Sequence, residues 1–387
     1  MNISHRISNI TGGGSDGWDV FLRARRMISD GIPVKELTIG EHDIGTDPVI
    51  LAAMDRAAQA GHTGYAMVPG TDELRKTVAE RVTARTGVAT GPENVMITPG
   101  GQSALFSAHL AVCDEGDHAL YLDPYYATYP GTIRSIGAHP IAVACAAENG
   151  FQPRAADIAP FAGAAKSLLI NSPNNPTGVV YSRDTLQDIA DLCQAEDLWL
   201  ISDEVYDTQI WRGTHISPRS LPGMKDRTLV VGSMSKSHAM TGSRCGWIIG
   251  PPEVIAHLTT LATHTTYGVP GFIQDAAAFA LKDQNGLEDR IAEPFRRRRA
   301  LACDMLDGQN HIRLTPSGGA MYLMLDIRST GLSGEAFANQ LLDQEHIAVM
   351  PGESFGQAAA GHIRVAMTLA DDAFQDALGR VITFAQR

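Results

Sequence analysis

The sequence predicts an α/β fold, with a large, mostly parallel sheet between helices and a smaller α+β unit packed on it. Three observations predict this. Between about residues 70 and 250, near-continuous apolar runs of strand length alternate with helical segments, the pattern of a parallel sheet covered on both faces. Past about residue 285 the pattern changes to a long helix followed by alternating short strands and helices. At 387 residues, the chain also exceeds one typical domain of ~100–200 residues.

The elements follow in order. The first ~35 residues hold a glycine cluster, Gly12 to Gly14, which reads as a turn, and a short arginine-rich helix. Asp72–Arg85 reads as a helix, Asn94–Thr98 as a strand, and Gln102–Cys113 as a helix opened by Gly100 and Gly101. His118–Leu122, Ser167–Asn171, Leu198–Ser202, Thr228–Gly232 and Cys245–Gly250 read as strands. Ser182 caps a helix whose Leu186, Ile189, Ala190 and Cys193 share one face. In the smaller unit, a long helix carries Arg296–Arg299, read as a solvated face paired with acids. Strands are expected at Ala320–Asp326, Ile347–Met350 and Ile363–Met367, with helices at Gly334–Gln344 and at the end, around Phe374–Val381.

Composition excludes several classes. A net charge of -12 disfavours binding to nucleic acid or an anionic membrane. No apolar run reaches the ~18–20 residues that span a bilayer, and the N-terminus lacks a signal-peptide core. The five cysteines, with no two at CxxC spacing, read as reduced thiols of a cytoplasmic protein, with no disulfide framework or metal site.

In an open parallel sheet, ligands bind beyond the carboxyl ends of the strands, so the residues there carry the argument. Ser233-Met234-Ser235-Lys236 follows one strand, and Arg244 lies eight residues on. Such a lysine forms a Schiff base with an aldehyde, while the arginine grips a phosphate and Ser233 adds a donor. Asp203-Glu204-Val205-Tyr206 follows another. A carboxylate at a buried strand end is costly unless it meets a cation, and a pyridinium nitrogen is one. Tyr206 and Asn175, the latter in the turn-rich Ser172–Gly178, suit a phenolic oxygen. Gly100 and Gly101 open a helix whose free N–H groups suit a phosphate, and Tyr125 or Tyr126 suits stacking on a flat ring. Taken singly, each has a plainer reading: a surface lysine, a helix cap, a turn or a core aromatic. Together they describe one pocket.

With its SxSK and Arg244, DEVY, NNPTG, PGG and RVAM motifs in family order, the chain from about Leu37 onward resembles the class I/II aminotransferases of the aspartate aminotransferase fold. The resemblance implies fold type I, with a seven-stranded-type sheet in a large domain at 36–285 and a small domain from 1–35 and 286–387. It implies pyridoxal 5'-phosphate as cofactor and Lys236 as the Schiff-base (aldimine) lysine and proton carrier. Asp203 is then the partner of the pyridine nitrogen, Asn175 and Tyr206 hold the phenolic oxygen, and Gly101, Gln102, Ser233 and Arg244 hold the phosphate. Family members vary at Gln102, so its side-chain role stays open. The stacking ring maps to Tyr126, with Tyr125 the alternative. Arg364 and Gly40 map to the substrate α-carboxylate site, and Tyr65 to a contact with the partner subunit's phosphate, which implies a homodimer.

The expected reaction moves an amino group from an L-amino acid to a 2-oxo acid by a ping-pong mechanism. The alternative is a carbon–sulfur β-lyase on the same fold. A serine acyltransferase reading of Ser233-xx-Lys236 fails for want of a KTG element. A regulator with this fold would carry a DNA-binding head, and none is visible. Thr259–Gly271 contains no arginine to clamp a second carboxylate. Arg23, Arg25 or Arg26 is an open substitute, and His238 and Tyr267 read as core or surface residues.

Overall fold

The computed structural model describes residues 1–14, 17–282 and 286–387. Its strands, in chain order, are β1 (Lys35–Glu36), β2 (Val95–Thr98), β3 (His118–Asp123), β4 (His139–Ala144), β5 (Ala165–Asn171), β6 (Trp199–Asp203) and β7 (Thr228–Ser233), then β8 (Gly246–Ile249), β9 (Arg313–Leu314), β10 (Tyr322–Asp326), β11 (Ile347–Ala348), β12 (Met350–Pro351) and β13 (His362–Ala366). The central sheet has seven strands in the order β2-β8-β7-β6-β5-β3-β4. Its pairs are parallel except where β8 meets β7 and β2. The connection from β7 to β8 holds only a four-residue helix, Met234–Ser237, and a short 3-10 turn. It is too short for a covering crossover, so β8 returns antiparallel.

The strands expected from apolar runs are present within one or two residues. β4 went unread because Pro140 and His139 break its apolar pattern. It lies at the sheet edge, where a proline costs no ladder bond. The strand expected at Ile347–Met350 is two, Ile347–Ala348 and Met350–Pro351. β11 pairs with β1, and β12 joins the four-stranded sheet β12-β13-β10-β9. The domain boundary expected at residue 285 falls outside the described residues.

Apolar residues pack on both faces of the central sheet. Leu120, Leu168 and Leu200 meet the helix Arg183–Ala195 on one side, while Leu169, Ile201 and Val231 meet the helix Gly101–Val112 on the other. A separate core gathers Phe295, Leu323, Phe337 and Phe374 around the four-stranded sheet. The four arginines expected as a solvated face divide in two. Arg296 and Arg297 pair with Glu293 and Asp371 near the surface. Arg299 is half-buried and donates to Ser317 O at 3.0 and 2.6 Å. Arg298 is buried, and its guanidinium bonds both Asp43 oxygens at 2.8 and 2.7 Å and Asp371 at 2.8 Å. It locks the helix Leu287–Leu306 to the segment after β1, a buried pairing that helical periodicity does not encode. No helix of the described residues is long and apolar enough to cross a membrane.

Candidate active site

Strands β2, β7, β6 and β5 of the central sheet deliver site residues to one end of it. β2 leads through Pro99 to Gly100 (φ +79°), the cap of the helix Gly101–Val112. A Cβ on Gly100 would meet the Arg244 guanidinium at 2.6 Å, and one on Gly246 would meet the Gly100 carbonyl carbon at 2.9 Å. Glycine at both positions lets Arg244 and β8 close on the helix N-terminus, leaving a cationic cradle with free backbone N–H groups. Ser233 ends β7 and faces the same cradle, its hydroxyl capping Ser235 N–H at 3.1 Å. The Gln102 side chain turns aside, donating to Thr132 at 2.8 Å and accepting from Thr128 at 3.0 Å.

Asp203, the last residue of β6, is buried. Its Oδ2 accepts from the Tyr129 hydroxyl at 2.7 Å and its Oδ1 from Val205 N–H at 3.3 Å. Burial pushes its pKa up to about 6, against the pull of the Tyr129 bond. A carboxylate so desolvated favours a cationic partner, which a protonated pyridine ring supplies. Asn171, at the end of β5, donates to Asp203 O at 2.9 Å and accepts from Asn175 N–H at 2.7 Å, tying the Asn-Pro turn to the aspartate strand.

Lys236 is half-buried beside these groups and donates to Gly40 O. Burial lowers its pKa, and Arg364 and Arg244 push the same way against Tyr322 and Glu41. Arg364, on β13, lies 4.3 Å from the ring centroids of both Tyr322 and Phe355. Its Nη1 donates to Asn175 Oδ1 at 2.8 Å and its Nη2 to Thr38 O, while its buried Nε has no partner among the described residues. This desolvated guanidinium with a spare donor is suited to a carboxylate.

Lys236, Asp203, Asn175, Tyr206, Ser233, Arg244, Arg364, Gly40, Gly101, Gln102 and Tyr126 all line one cavity of about 260 Å³. Tyr126 is on its wall, whereas Tyr125 faces an adjoining chamber of about 930 Å³. Tyr65 does not join them within the chain. It is 92% exposed, with its ring 5.3 Å from that of Tyr267. His238 is fully buried outside the cavity.

Sequence reasoning missed Tyr129 and Tyr322. Tyr129 opens the helix Tyr129–Ser135 three residues after Tyr126, and both line the cavity. Tyr322 bonds the Tyr206 hydroxyl at 3.0 Å, and a Cβ on Gly40 would strike its ring oxygen. Tyr129→Phe is expected to raise the Asp203 pKa further and to weaken pyridoxal phosphate binding about fivefold, the worth of one hydrogen bond of ~1 kcal/mol. Equilibrium titration of the cofactor-free protein checks this.

The donor set fits pyridoxal phosphate, with an amine for the aldehyde, a glycine-lined cationic cradle for the phosphate and a proton-hungry carboxylate for the ring. Comparison with known proteins agrees. The family model for aminotransferase class I and II matches residues 33–381. The arginine–pyruvate transaminase of Pseudomonas aeruginosa is 41% identical over 384 residues, covering 98% of this chain and 97% of that protein. The aspartate/prephenate aminotransferase of Thermus thermophilus is 34% identical, covering 93% of each. Among solved structures, the aspartate aminotransferase of Thermotoga maritima superposes with a TM-score of 0.93 at 30% identity, over 100% of both chains.

Proposed function

The chain belongs to the class I and II aminotransferases, and from that premise we propose a cytoplasmic homodimer that transfers the amino group of L-arginine, or of a donor with a similarly long cationic side chain, to pyruvate. That it is a pyridoxal phosphate-dependent aminotransferase follows from the family and from its relatives. Each relative named above is an aminotransferase, and none is a lyase.

The choice of donor is carried by the adjoining chamber. Its volume of about 930 Å³ far exceeds what an alanine or aspartate side chain fills, and Asp19, Glu335 and Glu353 stand on its wall. Of the cations there, Arg244 belongs to the phosphate cradle and Arg134 donates to Ile10 O at 3.1 Å. An acid-lined chamber attracts a guanidinium and disfavours a second carboxylate. The similarity to an arginine–pyruvate transaminase supports the same reading.

In this reading Arg364 binds the substrate α-carboxylate with help from the backbone at Gly40, and Asn175 holds Arg364 in place. Gly101, Gln102, Ser233 and Arg244 hold the cofactor phosphate, with the helix N–H groups as the main contribution at Gln102. Asp203 would hold the proton of the ring nitrogen, Asn175 and Tyr206 would bond the phenolic oxygen, and Tyr126 would pack against the ring. When bound, pyridoxal phosphate supplies the electron sink for the pair released at the substrate Cα. Lys236 would take the Cα proton and deliver it to the carbon of the former cofactor aldehyde. Burial favours its neutral form, so this base works nearer neutral pH than a solvated lysine at ~10.4. Tyr65 serves the partner's phosphate cradle. The exposed cluster of Tyr65, Met67 and Tyr267 supports that interface, since such apolar patches mark association sites.

The test adds single amino acids to the cofactor-loaded enzyme without any oxo acid and follows the visible spectrum. L-Arginine is expected to convert the spectrum, pyruvate to reverse it with release of alanine, and kcat/KM for L-arginine to exceed that for L-aspartate at least tenfold, ~1.4 kcal/mol of discrimination. Conversion by L-aspartate with none by L-arginine refutes the donor assignment. Pyruvate and ammonia accumulating from a sulfur amino acid would refute the transferase reading itself.

A further inference from the structure

Side chains alternate faces along a strand, so Asp203 points into the site while Ser202 and Glu204 point behind it. There the structure builds a second polar cluster that the reaction does not use. Glu204 is buried; its Oε1 accepts from Ser202 at 2.9 Å and from Ser217 at 2.7 Å, and its Oε2 meets His215 Nε2 at 3.0 Å. Glu204 N–H bonds Val231 O on β7 at 2.9 Å, and Glu204 O accepts from Asp207 N–H at 3.0 Å. The cluster therefore grips the end of β6 and the turn that carries Tyr206. It walls a cavity of about 360 Å³ on the face away from the active site.

We infer that Glu204 and His215 are a positioning pair for Asp203: the imidazolium holds the Glu204 carboxylate and balances its charge directly behind the residue that serves the cofactor ring. The charges around His215 favour the cationic form. Burial alone disfavours it, but the bond to Glu204 and the charges of Glu204 and Asp207 prevail over Arg85. The neighbouring groups are already matched among themselves. Arg81 and Arg85 of the helix Asp72–Thr86 pair with Asp207 and with Glu288 of the helix Leu287–Leu306, and His238 lies 3.8 Å from Glu288. The buried Arg219 guanidinium also lies within electrostatic reach of Glu204 while donating to Thr90 at 2.8 Å, so the cation in direct contact with the Glu204 carboxylate is His215. Without it, a less compensated carboxylate sits one residue from Asp203 and stabilises positive charge on the ring and on the lysine-bound cofactor.

This inference rests on Asp203 being the ring's partner. The experiment titrates the visible absorbance of the loaded holoenzyme with pH in four variants. His215→Gln, which keeps a donor and removes the charge, is expected to raise the spectral pKa by ~0.5 unit. Glu204→Gln is expected to lower it, and the double variant to return it near wild type. Asp203→Asn serves as the control. If it shifts the spectrum while the single variants at 204 and 215 do not, the pair is merely structural and the inference falls. If Asp203→Asn leaves the spectrum unmoved, the role of Asp203 fails with it. A pair that acts only through fold stability would move the melting temperature and leave the spectral pKa in place, which also overturns the inference.

Discussion

Lys236→Ala is expected to lower kcat by at least ~10⁴-fold, because the variant loses both the amine that binds the cofactor aldehyde and the base that moves the Cα proton. Among the described residues no other amine lines the cavity. Besides Lys236, the cations of the inner cavity are Arg244 and Arg364 among the described residues, and a guanidinium does not deprotonate at working pH. His42, two residues after Gly40, is held neutral by burial, its pKa pushed down to about 3, and it is not on the cavity wall. Single-turnover absorbance with L-arginine reads the loss directly. The variant should bind pyridoxal phosphate without the spectral signature of a lysine linkage, and should keep the wild-type melting temperature within a few degrees. Appreciable turnover by a correctly folded Lys236→Ala would show that another group carries the proton.

Asp203→Asn is expected to divide function from stability. Its kcat should fall on the order of 10³-fold, the scale of losing one preorganised charge that acts on the reacting system. The cofactor-free variant should nonetheless be more stable than wild type at pH 8. Burial raises the folded-state pKa of Asp203 to about 6, above that of a solvated aspartate. The ionised side chain therefore destabilises the fold above that pKa by about 2–3 kcal/mol. The penalty is relieved as pH falls from about 6 into the ordinary carboxylate range. The neutral amide removes it while still accepting from Tyr129. Thermal denaturation of the cofactor-free proteins should show the Asp203→Asn variant several degrees ahead at pH 8 and nearly level at pH 4. An equal gap at both values would mean that the desolvated charge is not its cause.

Much of the site was legible because burial constrains sequence strongly at strand ends. A parallel strand covered on both faces must be apolar throughout, so polar residues at its carboxyl end stand out. Asp203, Ser233 with Lys236, and Asn175 were all found in this way, and the structure brings them into one cavity. Tyr129 and Tyr322 were not, because an aromatic inside an apolar segment reads as core until its hydroxyl is seen to have a partner. Arg298 was placed on a solvated face for a related reason. Helical spacing identified its neighbours on the helix, but Asp43 lies 255 residues away along the chain.

By itself, then, the sequence determined the alternation of strands and helices, the change of pattern past residue 285 and the residues presented at the strand ends. These follow from local periodicity and from the cost of burying a polar group without a partner. Only the tertiary structure decided that β4 closes the sheet edge, that Tyr126 and not Tyr125 faces the inner cavity, that Tyr129 bonds Asp203 and that His215 stands against Glu204 behind it. Each depends on a short-range contact between segments that are not joined in a common element. Hydrogen bonds and ion pairs act over a few ångströms in space, and their partners leave no periodic trace along the chain.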